Sequence, residues 1–194
     1  MTLTKPQQYS VFTALALMMA FTRYHHFLPI PDASWAIYFV GGFYLKGMSR
    51  WAFPALMLEA MAIDYVTTQH FGVSSYCITP AYAFLVPTHA ALWLGGYWLQ
   101  TRLRLDVQGK GLLGLGFLAG SAFVAVSIAF AISNGSFYWL GGRHAEPNMV
   151  DWIGNFAKWY PYFLSVPLMY IAIVAAIHVL VARTRGTAAG TQLL

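Results

Sequence analysis

Residues 111–133 read GLLGLGFLAGSAFVAVSIAFAIS, a run without one charged side chain. An apolar stretch of about 20 residues is long enough to cross a bilayer as a helix. In lipid a helix satisfies all of its own backbone hydrogen bonds, which an open strand does not. The run therefore predicts a transmembrane helix, and the rest of the chain must be read for more.

Working outward, similar apolar runs fall near 9–28, 34–45, 51–69, 82–100 and 152–182, separated by polar or Pro/Gly-containing stretches. The composition agrees: 59% of the 194 residues are hydrophobic and 9% charged, with a mean hydropathy of +0.58, whereas soluble domains are about a quarter charged. The expected fold class is an all-α integral membrane protein of six transmembrane helices, forming a single membrane domain over 1–194. The second run is short, so it must be tilted, extended into its flanks, or buried among neighbours. The last is long enough to project beyond the membrane. Lys5 ahead of an apolar run is reminiscent of a signal peptide, but no cleavage site follows, so the first segment is expected to be retained as a helix.

The net charge of +5 and pI near 9.4 do not point to nucleic acid, because the eleven basic residues are scattered singly between apolar runs. Their distribution reads as topology. Lys5, Lys46, Arg50, Arg102, Arg104, Lys110, Arg183 and Arg185 fall on one side, and Arg23, Arg143 and Lys158 on the other. By the positive-inside rule both termini and the loops at 46–50 and 101–110 are cytoplasmic. The loops at 29–33, 70–81 and 134–151 then face outward.

Chemistry-bearing residues collect on that outward side. Tyr24, His25, His26 and Asp32 surround the first loop. Asp64, His70, Tyr76, Cys77 and Tyr82 surround the second, and Tyr138, Trp139, Arg143, His144, Glu146 and Asp151 the third. Such a cluster is either a solute pocket or an interfacial aromatic belt. Acids are costly inside a membrane and are functional candidates by default. Asp64 reads either as a helix-end acid paired with Arg23 or Arg143, or as a pocket carboxylate orienting a ligand. Glu59 is expected to pair with a base or to line a polar interior. No two of the six histidines stand at i, i+4, and His25 and His26 point apart on a helix, so no histidine metal site is expected. There is no CxxC pair, GxSxG, HExxH or Walker A motif, which argues against the common intramembrane protease and ATPase readings.

Two stretches carry small residues four apart, Ala16 with Ala20 and Gly116 with Gly120. They are packing faces within the chain or docking faces for another membrane subunit.

The lone cysteine lies in YCITPAY, residues 76–82. A single cysteine is ordinarily a small buried hydrophobe. Pro80 interrupts regular backbone pairing, so Tyr76 to Pro80 is expected to be a fixed irregular stretch at the outer mouth. An unpaired thiol there risks oxidation unless something covers it, and a thiolate is a good ligand for a transition metal with an open axial position.

With its six apolar runs, both ends inside, Ala16-Leu-Met-Met-Ala20 in the first helix and the Tyr76–Tyr82 stretch, the chain resembles the S components of energy-coupling-factor (ECF) vitamin transporters. Among these it is similar to the cobalamin-specific BtuM type over essentially its whole length. The resemblance implies a vitamin pocket at the outer face of a bacterial cytoplasmic (inner) membrane and release inward after a large reorientation. It implies Cys77 as the axial ligand of the corrinoid cobalt, with cobalamin bound base-off as the transported substrate, and removal of the cyano ligand from cyanocobalamin as an accompanying reaction. Asp64, Tyr76, Tyr82 and Arg143 are carried over as polar groups near the corrinoid, with Asp64, Tyr82 and Arg143 assisting the chemistry. It further implies docking on an ECF energising module through the Ala16 and Ala20 face, although some relatives are solitary. The alternatives are an S component for another vitamin, in which Cys77 is incidental, and a redox or haem-binding membrane enzyme using the outer histidines.

Overall fold

The computed structural model describes residues 3–23, 30–72, 74–105 and 112–191, and the side chains at 77, 104, 105, 112 and 183–191 fall outside that description. Tyr24, His25, His26, Lys110 and the Cys77 side chain, all singled out above, therefore lie outside the described part. Within it the chain is all-helical, with no strand. The six α-helices are α1 (Lys5–Arg23), α2 (Ser34–Tyr44), α3 (Ser49–His70), α4 (Leu85–Leu105), α5 (Leu112–Leu140) and α6 (Met149–Thr191). Short 3-10 turns occupy Lys46–Met48, Ser75–Cys77 and Pro80–Phe84.

The short second run is a helix of 11 residues, and it is the buried centre of the bundle rather than a lipid-facing span. Ala36, Ile37, Tyr38, Phe39, Gly41 and Gly42 are all buried. Its principal neighbour is α4, and the two backbones meet where each carries a pair of glycines. A methyl group on Gly42 would fall on the carbonyl of Trp93, and one on Gly96 on the carbonyl of Phe39. Glycine is required at both positions because the opposing backbone, unlike a side chain, has no rotamer into which to retreat. The anticipated small-residue faces behave differently. Gly116 and Gly120 face open space, whereas Ala16 and Ala20 are half-buried and pack against the core.

Helix α5 runs through Ser133 to Ser136 as far as Leu140, where the loss of apolarity had suggested a loop from 134 onward. The polar groups in this last turn are satisfied without leaving the helix. Asn134 Nδ2 donates to Asn155 Oδ1 on α6 at 3.1 Å, Trp152 Nε1 donates to Asn134 Oδ1 at 3.1 Å, and Ser136 Oγ donates to its own helix at Ser133. A second α5–α6 link joins the Ser127 and Tyr160 hydroxyls at 2.7 Å. Helix α6 is capped by Asn148, whose Oδ1 accepts from the Asp151 backbone N–H at 3.0 Å.

Two segments, Leu113–Leu140 in α5 and Met149–Ala182 in α6, are long and apolar enough to cross a membrane. A soluble protein would bury helices this apolar, yet only 33% and 11% of their most apolar windows are covered by the rest of the chain. Large apolar side chains on other helices are also exposed, among them Leu17, Trp51, Leu58 and Leu94.

Candidate functional site

Helix direction brings four helix ends together at one end of the bundle. These are the C-termini of α1 and α3 and the N-terminal ends of α2 and α4, the last preceded by the Pro80–Phe84 turn. Arg23, the last residue of α1, lies at the centre, with 11% of its side chain exposed. Its Nε donates to Asp64 Oδ1 at 2.7 Å and its Nη2 to Asp64 Oδ2 at 2.6 Å, a two-pronged pairing that matches the planar guanidinium to the carboxylate. Nη1 donates to Ser34 Oγ at 2.9 Å and stands 3.5 Å from Asp32 Oδ2. Asp32 in turn accepts from both the backbone N–H and the hydroxyl of Ser34, which fixes the start of α2. Of the two partners considered for Asp64, Arg23 is the one it has.

Tyr82 completes this group by donating its hydroxyl to Asp64 Oδ2 at 2.7 Å.

One turn beyond Ser34 on the same face of α2 lies Tyr38, whose ring is 4.0 Å from that of His89 in the first turn of α4. His89 Nδ1 is bonded to the Leu85 carbonyl at 2.8 Å and must be the donor. Its Nε2 is then an acceptor, buried and without a partner among the described residues, as is the Tyr38 hydroxyl oxygen. Neither residue was a candidate from the sequence. The only signal was a polar atom on an otherwise apolar helix face.

The cysteine-bearing loop leaves α3 through Gly72, whose φ of 67° is left-handed. The Ser74 side chain then accepts from the Tyr76 backbone N–H at 3.2 Å, and Ile78 N–H donates to Ser75 O at 2.9 Å, which closes the 3-10 turn containing the Cys77 backbone. Thr79 is extended, as a residue before proline must be, and Pro80 starts the next 3-10 turn. The expected irregular stretch is thus two tight turns joined by two extended residues, Ile78 and Thr79. The Thr79 hydroxyl between them is buried and has no hydrogen-bond partner among the described residues.

Arg143, on the α5–α6 connection, reaches across to this loop. Its Nη2 donates to the Tyr76 carbonyl at 2.8 Å, and its guanidinium lies over the Tyr76 ring at 4.6 Å. That ring also packs against Phe137 of α5 at 5.6 Å. The sequence-selected residues therefore form two groups. Asp64 and Tyr82 join Arg23 on one flank of the loop, while Tyr76 and Arg143 pair on the other, with Cys77 between them along the chain. Glu59 stands apart, half-buried on α3, and of the two readings given for it, a basic partner or a polar interior, the first is not seen among the described residues.

Compared with known protein-family models and with curated proteins, the chain matches none.

Proposed function

We propose that this chain is a six-span protein of a bacterial cytoplasmic membrane that takes up cobalamin, binding it at the Asp64 end of the bundle with Cys77 as axial cobalt ligand. The observation that carries the reading is the double anchoring of the cysteine loop, by Tyr82 on Asp64 at one flank and by Arg143 on Tyr76 at the other. A thiolate that must meet one face of a metal needs a backbone held on both sides, and an incidental packing cysteine does not.

The membrane part rests on several features. Helices α1, α3 and α4 have 19, 22 and 21 residues, enough at about 1.5 Å per residue to span a hydrocarbon core of about 30 Å. Two more helices are apolar, long and largely uncovered. The charge asymmetry favours both termini and the Lys46 end on the cytoplasmic side, leaving the Asp64 end outward. Docking of an energising module on the Ala16 and Ala20 face belongs to the same reading.

Thiolate donation to one face of cobalt raises electron density at the metal and weakens the bond on the opposite face. Cyanide then leaves with the bonding electron pair, cobalt keeps its oxidation state, and a proton converts the leaving group to hydrogen cyanide. That proton comes from water, and Asp64 with Tyr82 stands beside the loop to position the leaving cyanide.

The test is the absorption spectrum of purified wild-type and Cys77→Ala proteins mixed with cyanocobalamin and followed over time. A thiolate-ligated spectrum and cyanide loss in the wild type alone support the reading. Equal spectra and rates in both proteins overturn it. Absence of any corrinoid binding favours another vitamin, and a Soret band in the isolated protein favours the haem enzyme.

A further inference from the structure

Glu59 is an acid that neither the bundle nor the site described above uses. It is midway along the 22 residues of α3, about 15 Å from either end at 1.5 Å per residue. It is half-buried, and among the described residues no ion pair is made to its carboxylate. Its neighbours one turn away on the same helix are Ala55, half-buried, and Ala62, exposed, while Leu58 beside it is 67% exposed. The carboxylate therefore lies open at the flank of the bundle, and the two methyl side chains above and below it let a second helix come close. An acid at mid-membrane is costly, and such residues pair with a partner.

The bases of the described part lie at other depths. Lys5, Lys46, Arg50 and Arg102 belong to the end of the bundle away from Asp64. Arg23 is engaged by Asp64, five residues outward of Glu59, and Arg143 is held on Tyr76. Phe163 packs on Trp35 at 5.3 Å, next to the Ser34 that Arg23 holds, and Lys158 lies five residues outward of Phe163. A second copy in the same membrane orientation thus brings no described base to the depth of Glu59.

We propose that Glu59 anchors a lateral docking surface for a transmembrane helix of another protein, one that carries a basic residue near its midpoint. The base meets the carboxylate while the helix passes over Ala55 and Ala62. The proposal rests on the membrane reading of α3 but not on the corrinoid reading, and its test contains no corrinoid.

Full-length protein labelled at its N-terminus is reconstituted into phosphatidylcholine vesicles with synthetic leucine–alanine transmembrane helices, and association is read by energy transfer. A helix with arginine at its midpoint is expected to bind about tenfold more tightly than one with leucine there. Moving the arginine two turns toward either end is expected to remove the advantage. Glu59→Leu is expected to abolish the preference, and Glu59→Lys to transfer it to a helix with glutamate at its midpoint. The proposal is overturned when the midpoint arginine gives no advantage over leucine, or when Glu59→Leu keeps that advantage. Energy transfer between two labelled copies that is lost in Glu59→Leu assigns the surface to a second copy and also overturns it. Carbonate extraction of the same vesicles separates the two readings. Released protein overturns the membrane reading and the proposal with it, whereas retained protein without the arginine preference overturns the docking surface alone.

Discussion

The Tyr82 hydroxyl and Arg23 share one oxygen of Asp64, the phenol donating to Oδ2 at 2.7 Å and the guanidinium at 2.6 Å. Asp64 is thus more than a helix-end acid. It fastens the end of α1 to α3 with one partner and the Pro80–Phe84 turn to α3 with the other.

Tyr82→Phe removes one donor and creates no cavity. Asp64 keeps its pairing with Arg23, so the expected stability loss is about 1–1.5 kcal/mol. If the phenol positions the leaving cyanide, the decyanation rate falls while the affinity for cyanocobalamin is unchanged. Single-turnover spectra beside equilibrium binding separate these effects, and parallel losses in both would assign Tyr82 to binding alone.

Asp64→Ala takes the two-pronged carboxylate away from the nearly buried Arg23, whose other carboxylate among the described residues, Asp32, stands farther off at 3.5 Å. The cost of breaking such a pair from one side is about 3–5 kcal/mol, and the partial exposure of Asp64 argues for the lower end of that range. The double variant Arg23→Met/Asp64→Leu removes both charges and is expected to recover much of the loss. Melting in detergent checks this, and a double variant no better than the single one would show that the pair was not the source of the cost.

How much of this was legible in the sequence depends on how local each signal was. Helix number and approximate position follow from uninterrupted apolar runs, which report directly on burial in lipid or core. The extension of α5 to Leu140 did not, because its last polar residues find partners on α6, some 20 positions away in the chain. Asp64 and Tyr82 stood out as polar residues at the ends of apolar runs, and Arg23 was named only as a possible partner. That Arg143 pairs with Tyr76 rather than joining Asp64 depends on how the α5–α6 connection folds back, which no spacing encodes. His89 and Tyr38 were invisible for the converse reason: in an apolar run a single imidazole or phenol reads as packing.

The helix contacts give a sharper contrast. A four-residue spacing singled out Gly116 and Gly120, which meet nothing, and missed the adjacent glycines of α2 and α4, which meet opposing backbone. Gly96→Ala is expected to destabilise by about 1–3 kcal/mol through overpacking. Gly120→Ala is expected to be neutral or to stabilise by up to about 1 kcal/mol from helix propensity. Comparison of their melting temperatures checks this. A large loss at Gly120 would mean that another subunit covers that face in the purified protein.

Arg143 and Tyr76 are both exposed, so their pairing contributes little to global stability. Its effect is local. Arg143→Gln loses the hold on the Tyr76 carbonyl and the stacked guanidinium, together about 1–2 kcal/mol of restraint on the turn that carries Cys77. A change of that size shifts an opening equilibrium by roughly 5–30-fold. The rate of Cys77 alkylation by a membrane-impermeant maleimide, added outside intact cells, is expected to rise by a comparable factor, whereas Arg143→Lys, which keeps a cation but not the planar stack, should fall between. Equal rates in all three proteins would mean that Arg143 does not restrain the loop. Labelling only after the cells are opened would reverse the orientation assigned to the Asp64 end.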